Sequence, residues 1–461
     1  MTHATEITIG IDVGTTSMKA HAFALDGSIV GRASLATQWS VLANGETEIN
    51  VDALADAAIS VMAQCVPETY PLGSVIGIGI TGMAETGVLV DSQGQPLMPA
   101  IAWFDERGQQ ELENLPLEFA SDFVAHTGLG FKAECSFSKL LWRQGCGQEI
   151  PAGAQWLNAL EYIAFRLTNR KVTEPSLASR TGLWDQEMAA PWLPSLACIG
   201  AHASLLPEIY LAGTSIGTVV DSAPSVLRGA QVTVAGHDHL VGAVGSGAVD
   251  PNDLYNSCGT ADVVLRSVER TLANSERTAL VSRGVSAGHH VIPGATAILG
   301  ATRSGLVLGR VLTMLGIHDR DDRIKFVNAW DPTQSFDVRV SEPPAWANEV
   351  TISLRGEAAP ADVWSGAMEY VLGATSELVH VVDDLAGPYH AAIAAGGWAN
   401  LDGVFRGKSQ VMPGLRRFSG EEPGARGAAA LAAWAAHQPN VPLTAGLAVS
   451  FAPPTPKELV S

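Results

Sequence analysis

The chain has 461 residues, 47% of them hydrophobic and only 16% charged, which predicts roughly two or three globular domains and argues against long disordered or coiled-coil stretches. Lys and Arg number 28 against 47 Asp and Glu, a net charge of −19, so the chain as a whole lacks the basic footprint of a duplex nucleic-acid binder or of a protein that lies on an anionic membrane. A small ligand remains open, because a phosphate can be held by backbone N–H groups and one metal ion.

Ile7, Ile9 and Ile11 alternate with Thr8 and Gly10, the period of a strand with one buried face. A run of small polar residues, Asp12-Val13-Gly14-Thr15-Thr16-Ser17, follows. Met18 to Leu25 and Ser28 to Ala36 then read as strands separated by the turn dipeptide Asp26-Gly27. The Gly-Thr-Thr turn therefore joins two strands. That removes the Rossmann and P-loop readings, which need a helix after the glycines. Leu54, Ala57, Val61, Met62 and Cys65 recur at helical spacing, with Pro67 closing the segment. In the buried strand Val75 to Thr81, Ile76, Ile78 and Ile80 alternate with glycines. Val88 to Val90 and Ala100 to Trp103 continue the strand series, and Glu106 to Leu115 reads as a helix.

The pattern then starts again. Val232 to Ala235 is a strand, Gly236-His237-Asp238-His239 a turn, and Leu240 to Gly247 a small-residue helix. Asp253 to Leu265 repeats the opening unit as a strand, a Gly259-Thr260-Ala261 turn and a second strand. The two turns read as equivalents in two related halves. The boundary falls near residue 240, giving domains 1–240 and 241–461 that share an interface and flex about a short hinge.

Two such units facing each other make a phosphate clamp, with glycines admitting the phosphate and Thr hydroxyls and N–H groups donating to it. Asp12, beside the first turn, is placed to hold a hydrated Mg²⁺; a plain hairpin turn is the alternative. Asp238, between two histidines, has three readings: a base for an acceptor hydroxyl, a helix cap, or a metal ligand with His237 and His239. Gly396-Gly397-Trp398-Ala399-Asn400 after the strand-like Ala391 to Ala395 suits close approach to a flat ligand, and the glycine-rich stretch Gly300 to Gly305 could pack beside it.

Five widely spaced cysteines with no C-x-x-C pair form neither a disulfide framework nor a zinc site, which fits a reducing compartment. Met1 to Gly10 has no basic n-region and carries Glu6, and the apolar run Ala428 to Ala436 is too short to span a bilayer. A soluble cytoplasmic protein is expected.

Taken together, these motifs resemble the FGGY carbohydrate kinases of the actin/hexokinase/heat-shock-ATPase superfamily. Asp12 to Ser17 with Lys19 is similar to that family's first phosphate motif. Thr81 to Glu85 and Trp103 to Arg107 sit where it reads its sugar, and Ser179 to Asp185 resembles a segment before the domain boundary. Ala235 to His239 is similar to the catalytic-aspartate motif, Ser257 to Thr260 to the second phosphate motif, and Ala395 to Asn400 with Gly424 to Ala430 to the adenosine region. The resemblance implies an α/β fold of two ribonuclease H-like (actin-like ATPase) domains with a deep interdomain cleft. The N-terminal domain would carry the sugar site and the C-terminal one ATP. It implies Asp238 as general base and Asp12 with Asp238 positioning Mg²⁺. Gly14, Thr15, Thr16, Lys19, Gly259 and Thr260 would hold phosphates, and Gly300, Gly396, Gly397 and Asn400 would border the rest of ATP. Met83, Ala84, Glu85, Trp103, Asp105 and Asp238 would meet the substrate.

Substrate choice departs from the family pairs. Xylulose kinases have Met-His where this chain has Ala84-Glu85, and glycerol kinases have Arg-Glu. Glu85 can accept from two hydroxyls and, if buried, disfavours an acidic sugar such as gluconate, so a neutral ketose or polyol is expected. Asp105 and Arg107 read either as an ion pair framing the pocket or as a helix cap. The implied partners are ATP, Mg²⁺ and that small substrate, with no nucleic acid or membrane and at most a homodimer. A nucleotide-driven switch of the same superfamily without a sugar, and a metal hydrolase on His237, Asp238 and His239, are the other readings.

Overall fold

The structure is a computed structural model that describes residues 6–331, 338–341 and 350–437. Residues 1–5 of the N-terminal argument and the tail of the expected second domain lie outside them.

Strands β1 (Ile7–Val13), β2 (Ser17–Ala24) and β3 (Ile29–Ala36) form an antiparallel meander. Helix α1 (Val51–Gln64) then leads to β4 (Val75–Gly82), which pairs parallel to β1. Short β5 (Gly217–Thr218) and β6 (Gln231–His237) complete the sheet in the order β5-β6-β4-β1-β2-β3, and helix α2 (Asp238–Ser246) leaves from β6. The second half begins with β7 (Asp253–Cys258) and β8 (Asp262–Val268), followed by β9 (Val285–His289) and β10 (Thr296–Thr302). Helices α3 (Ser304–Met314) and α4 (Pro360–Ala386), strands β11 (Ala391–Ala395) and β12 (Leu415–Arg417), and helix α5 (Pro423–His437) follow. The order β9-β10-β8-β7-β11-β12 repeats the first plan. The run β3-β2-β1-β4-β6 corresponds strand for strand to β10-β8-β7-β11-β12, with one extra edge strand in each sheet. This is the duplicated actin-like architecture that the two similar turns predict.

Each central strand has two unlike faces. Ile7, Ile9, Ile11, Ile78 and Ile80 are fully buried in one core with Leu54, Val61 and Met62 of α1. On the opposite face, a Cβ at Gly10 would fall 1.8 Å from the carbonyl oxygen of Ala425, and one at Gly79 would fall 1.9 Å from that of Ala428. The glycines alternating with isoleucines thus let α5 lie directly on the sheet. Its small-residue run is a buried packing helix, and no helix among the described residues is long and apolar enough to cross a membrane. Helices α2 and α5 share an apolar cluster with Tyr255, Leu265 and Ile393 of the second sheet, so both lie between the halves. The last described helix of the second half therefore packs on the first sheet, and the chain crosses the expected boundary twice.

Candidate active site

Both turns project from strand ends. In the first, Gly14 N–H donates to the Ser17 carbonyl (3.1 Å), and the carbonyls are taken from behind. Thr37 hydroxyl donates to Gly14 O (2.7 Å) and the Trp39 indole to Thr15 O (2.7 Å). No described residue accepts from the N–H groups of Thr15, Thr16 or Thr260, the state in which turn amides can take a phosphate. Trp103 donates its indole N–H to Thr15 Oγ1 (3.0 Å), tying the segment expected to face sugar to the phosphate turn. Lys19 is engaged by Glu422, 2.8 Å away, in the residue just before α5.

Asp12 ends β1 on the glycine face, where a Cβ at Gly424 would come within 2.4 Å of its Oδ2. Its Oδ1 is buried with no hydrogen-bond partner. Burial, the nearby Asp238 and Glu422 push its carboxyl up to about 7, against the smaller opposing pull of Lys19. A carboxylate left unpartnered in this way suits a divalent cation.

Asp238 opens α2. Thr81 hydroxyl donates to Gly236 O (2.7 Å) and His237 N–H to Ser176 Oγ (3.0 Å), which holds the turn before it. Oδ1 accepts from His239 N–H (2.7 Å) and lies 3.2 Å from His237 Nε2. Burial would raise this carboxyl, but His239 and His237 beside it outweigh burial and hold it well below the usual range. The two neighbouring acids are thus pushed to opposite protonation tendencies, the pattern expected of an acid–base site. The ligand atoms of His237, Asp238 and His239 all lie within 4.8 Å of one another, so the metal reading keeps a geometric basis.

The sugar-facing residues divide. Met83 and Ala84 are buried within the first core. Asp105 is committed: its carboxylate accepts from Thr47 N–H (2.6 Å) and pairs with Arg107 Nε (2.9 Å) while also capping Arg107 N–H (2.9 Å). Both roles foreseen for that pair are present. Glu85 is ion-paired with Arg180 at 2.6 Å. Its charge is therefore compensated, and its burial alone does not argue against an acidic substrate.

In the second half, Gly396, at φ +104, sits where a Cβ would be 2.5 Å from Cys258 O, and Trp398 N–H donates to that same carbonyl (3.1 Å). Gly305 meets Gly259 O just as closely, with a would-be Cβ at 1.9 Å, and Leu306 N–H donates to Thr260 O (3.0 Å). Beside these turns lies a cavity of about 570 Å³ lined by Thr260, Gly309, Arg310, Met314, Arg323 and Trp398, among others. That size and mixed lining suit a nucleoside. Gly397 and Asn400, in the segment that carries Trp398, are exposed, with open space around Gly397. Gly300 is a packing position instead: it lies within β10, where a Cβ would fall 2.6 Å from Leu378 Cδ2. Trp398 stacks on Trp364 and takes Arg323 over its ring at 5.9 Å, so it is both core and cavity wall. Sequence reasoning missed Arg310, Met314 and Arg323; the helical spacing of Gly305 and Gly309 was the available signal. Arg180 lay within the Ser179 to Asp185 segment that the sequence singled out, but nothing local tied it to Glu85, 95 residues away.

The model of the FGGY family of carbohydrate kinases, N-terminal domain, matches residues 7–245. Xylulose kinase from Staphylococcus xylosus is 27% identical over 305 residues, 64% of this chain and 61% of that protein. L-fuculokinase from Escherichia coli (strain K12) is 28% identical over 267 residues, 56% of each. The chain thus aligns with only about three fifths of the length of these curated relatives. Plasmodium falciparum glycerol kinase, solved with ADP, superposes with a TM-score of 0.84 at 19% identity, covering 97% of this chain and 92% of that one; this likeness shows the fold.

Proposed function

The chain belongs to the FGGY family of carbohydrate kinases, and from that membership we propose that it transfers the γ-phosphoryl group of ATP to a hydroxyl of a neutral sugar or polyol. The observation that carries the reading is the pair of neighbouring acids with opposed proton affinities, Asp12 and Asp238, beside two turns in which the Thr15, Thr16 and Thr260 amides meet no acceptor among the described residues. ATP fits the cavity at Trp398 with its phosphates toward Thr260 and Thr15. Mg²⁺ fits the unpartnered Oδ1 of Asp12; when bound, it neutralises charge on the phosphates.

Asp238, ionised at neutral pH, accepts the hydrogen bond of the acceptor hydroxyl and orients its oxygen toward the γ-phosphorus, taking the proton as the new P–O bond forms and the bond to ADP breaks. A base held this acidic orients more than it pulls, in keeping with a reaction that is mostly positioning. Domain closure would keep water from the γ-phosphate. The free cysteines fit a cytoplasmic setting.

The test is ADP release with Mg²⁺ across neutral ketopentoses, ketohexoses, tetritols, pentitols and glycerol. One acceptor should raise turnover by orders of magnitude and yield a sugar phosphate; a flat panel would remove the neutral-acceptor reading. Asp238→Ala should keep the fold and ATP binding while kcat falls roughly 10²–10⁴-fold, and wild-type turnover in that variant would refute the base assignment.

A further inference from the structure

Glu85 follows β4 in the first half, and Arg180 comes from a segment near the seam between the halves. Their side chains are 12% and 19% exposed respectively, so the pair is desolvated without being sealed. Arg180 Nε donates to Glu85 Oε1 (2.6 Å), and its Nη1 donates to Ser286 Oγ on β9 (2.9 Å). Ser136 holds the Glu85 backbone carbonyl at 2.9 Å. These bonds leave Glu85 Oε2 and Arg180 Nη2 without a protein partner among the described residues. A desolvated ion pair is costly unless its remaining lone pairs and N–H groups are also met. Both charges act on His239, the neighbour of Asp238, which sets the pair near the proposed base. Ala84 brings no guanidinium to Glu85; Arg180 does, from far along the chain.

We infer that Arg180 is an acceptor-specificity residue, which with Glu85 reads two hydroxyl groups of a neutral polyol or ketose. Glu85 Oε2 accepts from one hydroxyl while Arg180 Nη2 donates to the oxygen of the other. The inference rests on the kinase reading above. Because the pair is net neutral, selectivity against a carboxylate comes from Glu85 cancelling Arg180, and removing the Glu85 charge frees Arg180 to hold an acid.

The experiment is steady-state kinetics of the full chain with saturating Mg-ATP, on the neutral panel and on matching aldonates, for wild type, R180Q, R180K, E85Q and S286A, each first checked for a native thermal transition. R180Q should raise the acceptor KM roughly 10–100-fold with the ATP KM unchanged. R180K, which keeps the cation, should recover part of that loss. E85Q should raise the aldonate-to-polyol ratio of kcat/KM by about tenfold or more. S286A, which loses the seam contact and a hydrogen bond to Leu299 O (3.2 Å) but keeps both charges, should stay within about twofold of wild type. A folded R180Q with an unchanged acceptor KM, or one whose acceptor and ATP KM rise together, overturns the inference and leaves the kinase reading intact. If R180Q does not fold, E85Q decides, and an unchanged aldonate ratio overturns it. A wild-type protein that turns over no acceptor overturns both readings.

Discussion

In the first strand–turn–strand unit, the acid nearest the turn, Asp12, keeps a buried oxygen without a partner and binds its proton up to about 7. In the second, the nearest acid is Asp262, and it is fully answered. Lys408 Nζ pairs with its Oδ2, Thr375 donates to the same oxygen (2.8 Å), and Asn256 Nδ2 donates to Oδ1 (2.7 Å). The backbone plan is shared, yet one unit leaves a buried carboxyl oxygen unpartnered and the other pairs its carboxylate with a lysine. Burying a polar group without a partner costs stability, and the difference supports the proposal that the first turn receives a cation while the second serves as a shelf for the nucleotide.

Removing the charge on the first side should have the largest effect. Asp12→Asn is expected to lower Mg²⁺-dependent kcat roughly 10²–10³-fold, and turnover close to wild type would dissolve the contrast. The same variant sharpens it through pH. Folded, the metal-free protein holds the Asp12 proton up to about 7, whereas an ordinary aspartate releases it near 3.8. Between those values the folded state binds more protons than the unfolded one, so stability falls as pH rises through that window. Chemical denaturation in EDTA should show a decline to which Asp12 contributes on the order of 1–3 kcal/mol. Asp12→Asn should remove that share and leave the part due to buried Glu161 and Glu174, pushed up to about 7 and about 8.

On the second side, Lys408→Met should cost about 3 kcal/mol of stability by stranding Asp262 in the interior, with Asp262→Asn in the same chain recovering part of it. Urea unfolding reads both; a silent Lys408→Met would mean the shelf does not depend on its pair. The smallest effects are steric. Gly424→Ala places a methyl 2.4 Å from Asp12 Oδ2, while Gly397→Ala meets nothing within 4 Å. The first should lose about 1–3 kcal/mol and the second almost none, measured as shifts in the midpoint of thermal unfolding.

The opening strands of each half, strand β11, the two turns and the helix after Asp238 are legible because their signals are local; β9, β10 and β12 go unread. A period of two and a turn dipeptide need only neighbouring residues. The alternating glycines of β1 and β4 could be seen but not interpreted, since the helix they admit comes from the far end of the described chain. Met83 and Ala84 show the converse: adjacency to a motif suggested contact with substrate, but both side chains, just past the end of β4, are buried in the first core, which a local pattern does not show. Gly300 was read as part of a ligand-binding stretch for the same reason and lies inside a sheet.

What the sequence determined by itself was the duplicated plan, the two turns, Asp12, Asp238 and the kinase family, all carried by short contiguous patterns. What only the tertiary structure decided was electrical pairing: Arg180 beside Glu85, Lys408 against Asp262, Glu422 on Lys19, and Asp12 left without a hydrogen bond at Oδ1. Whether a charge is compensated depends on groups within a few ångströms. In this fold those groups arrive from segments 95, 146 and 403 residues away, beyond the reach of any local pattern.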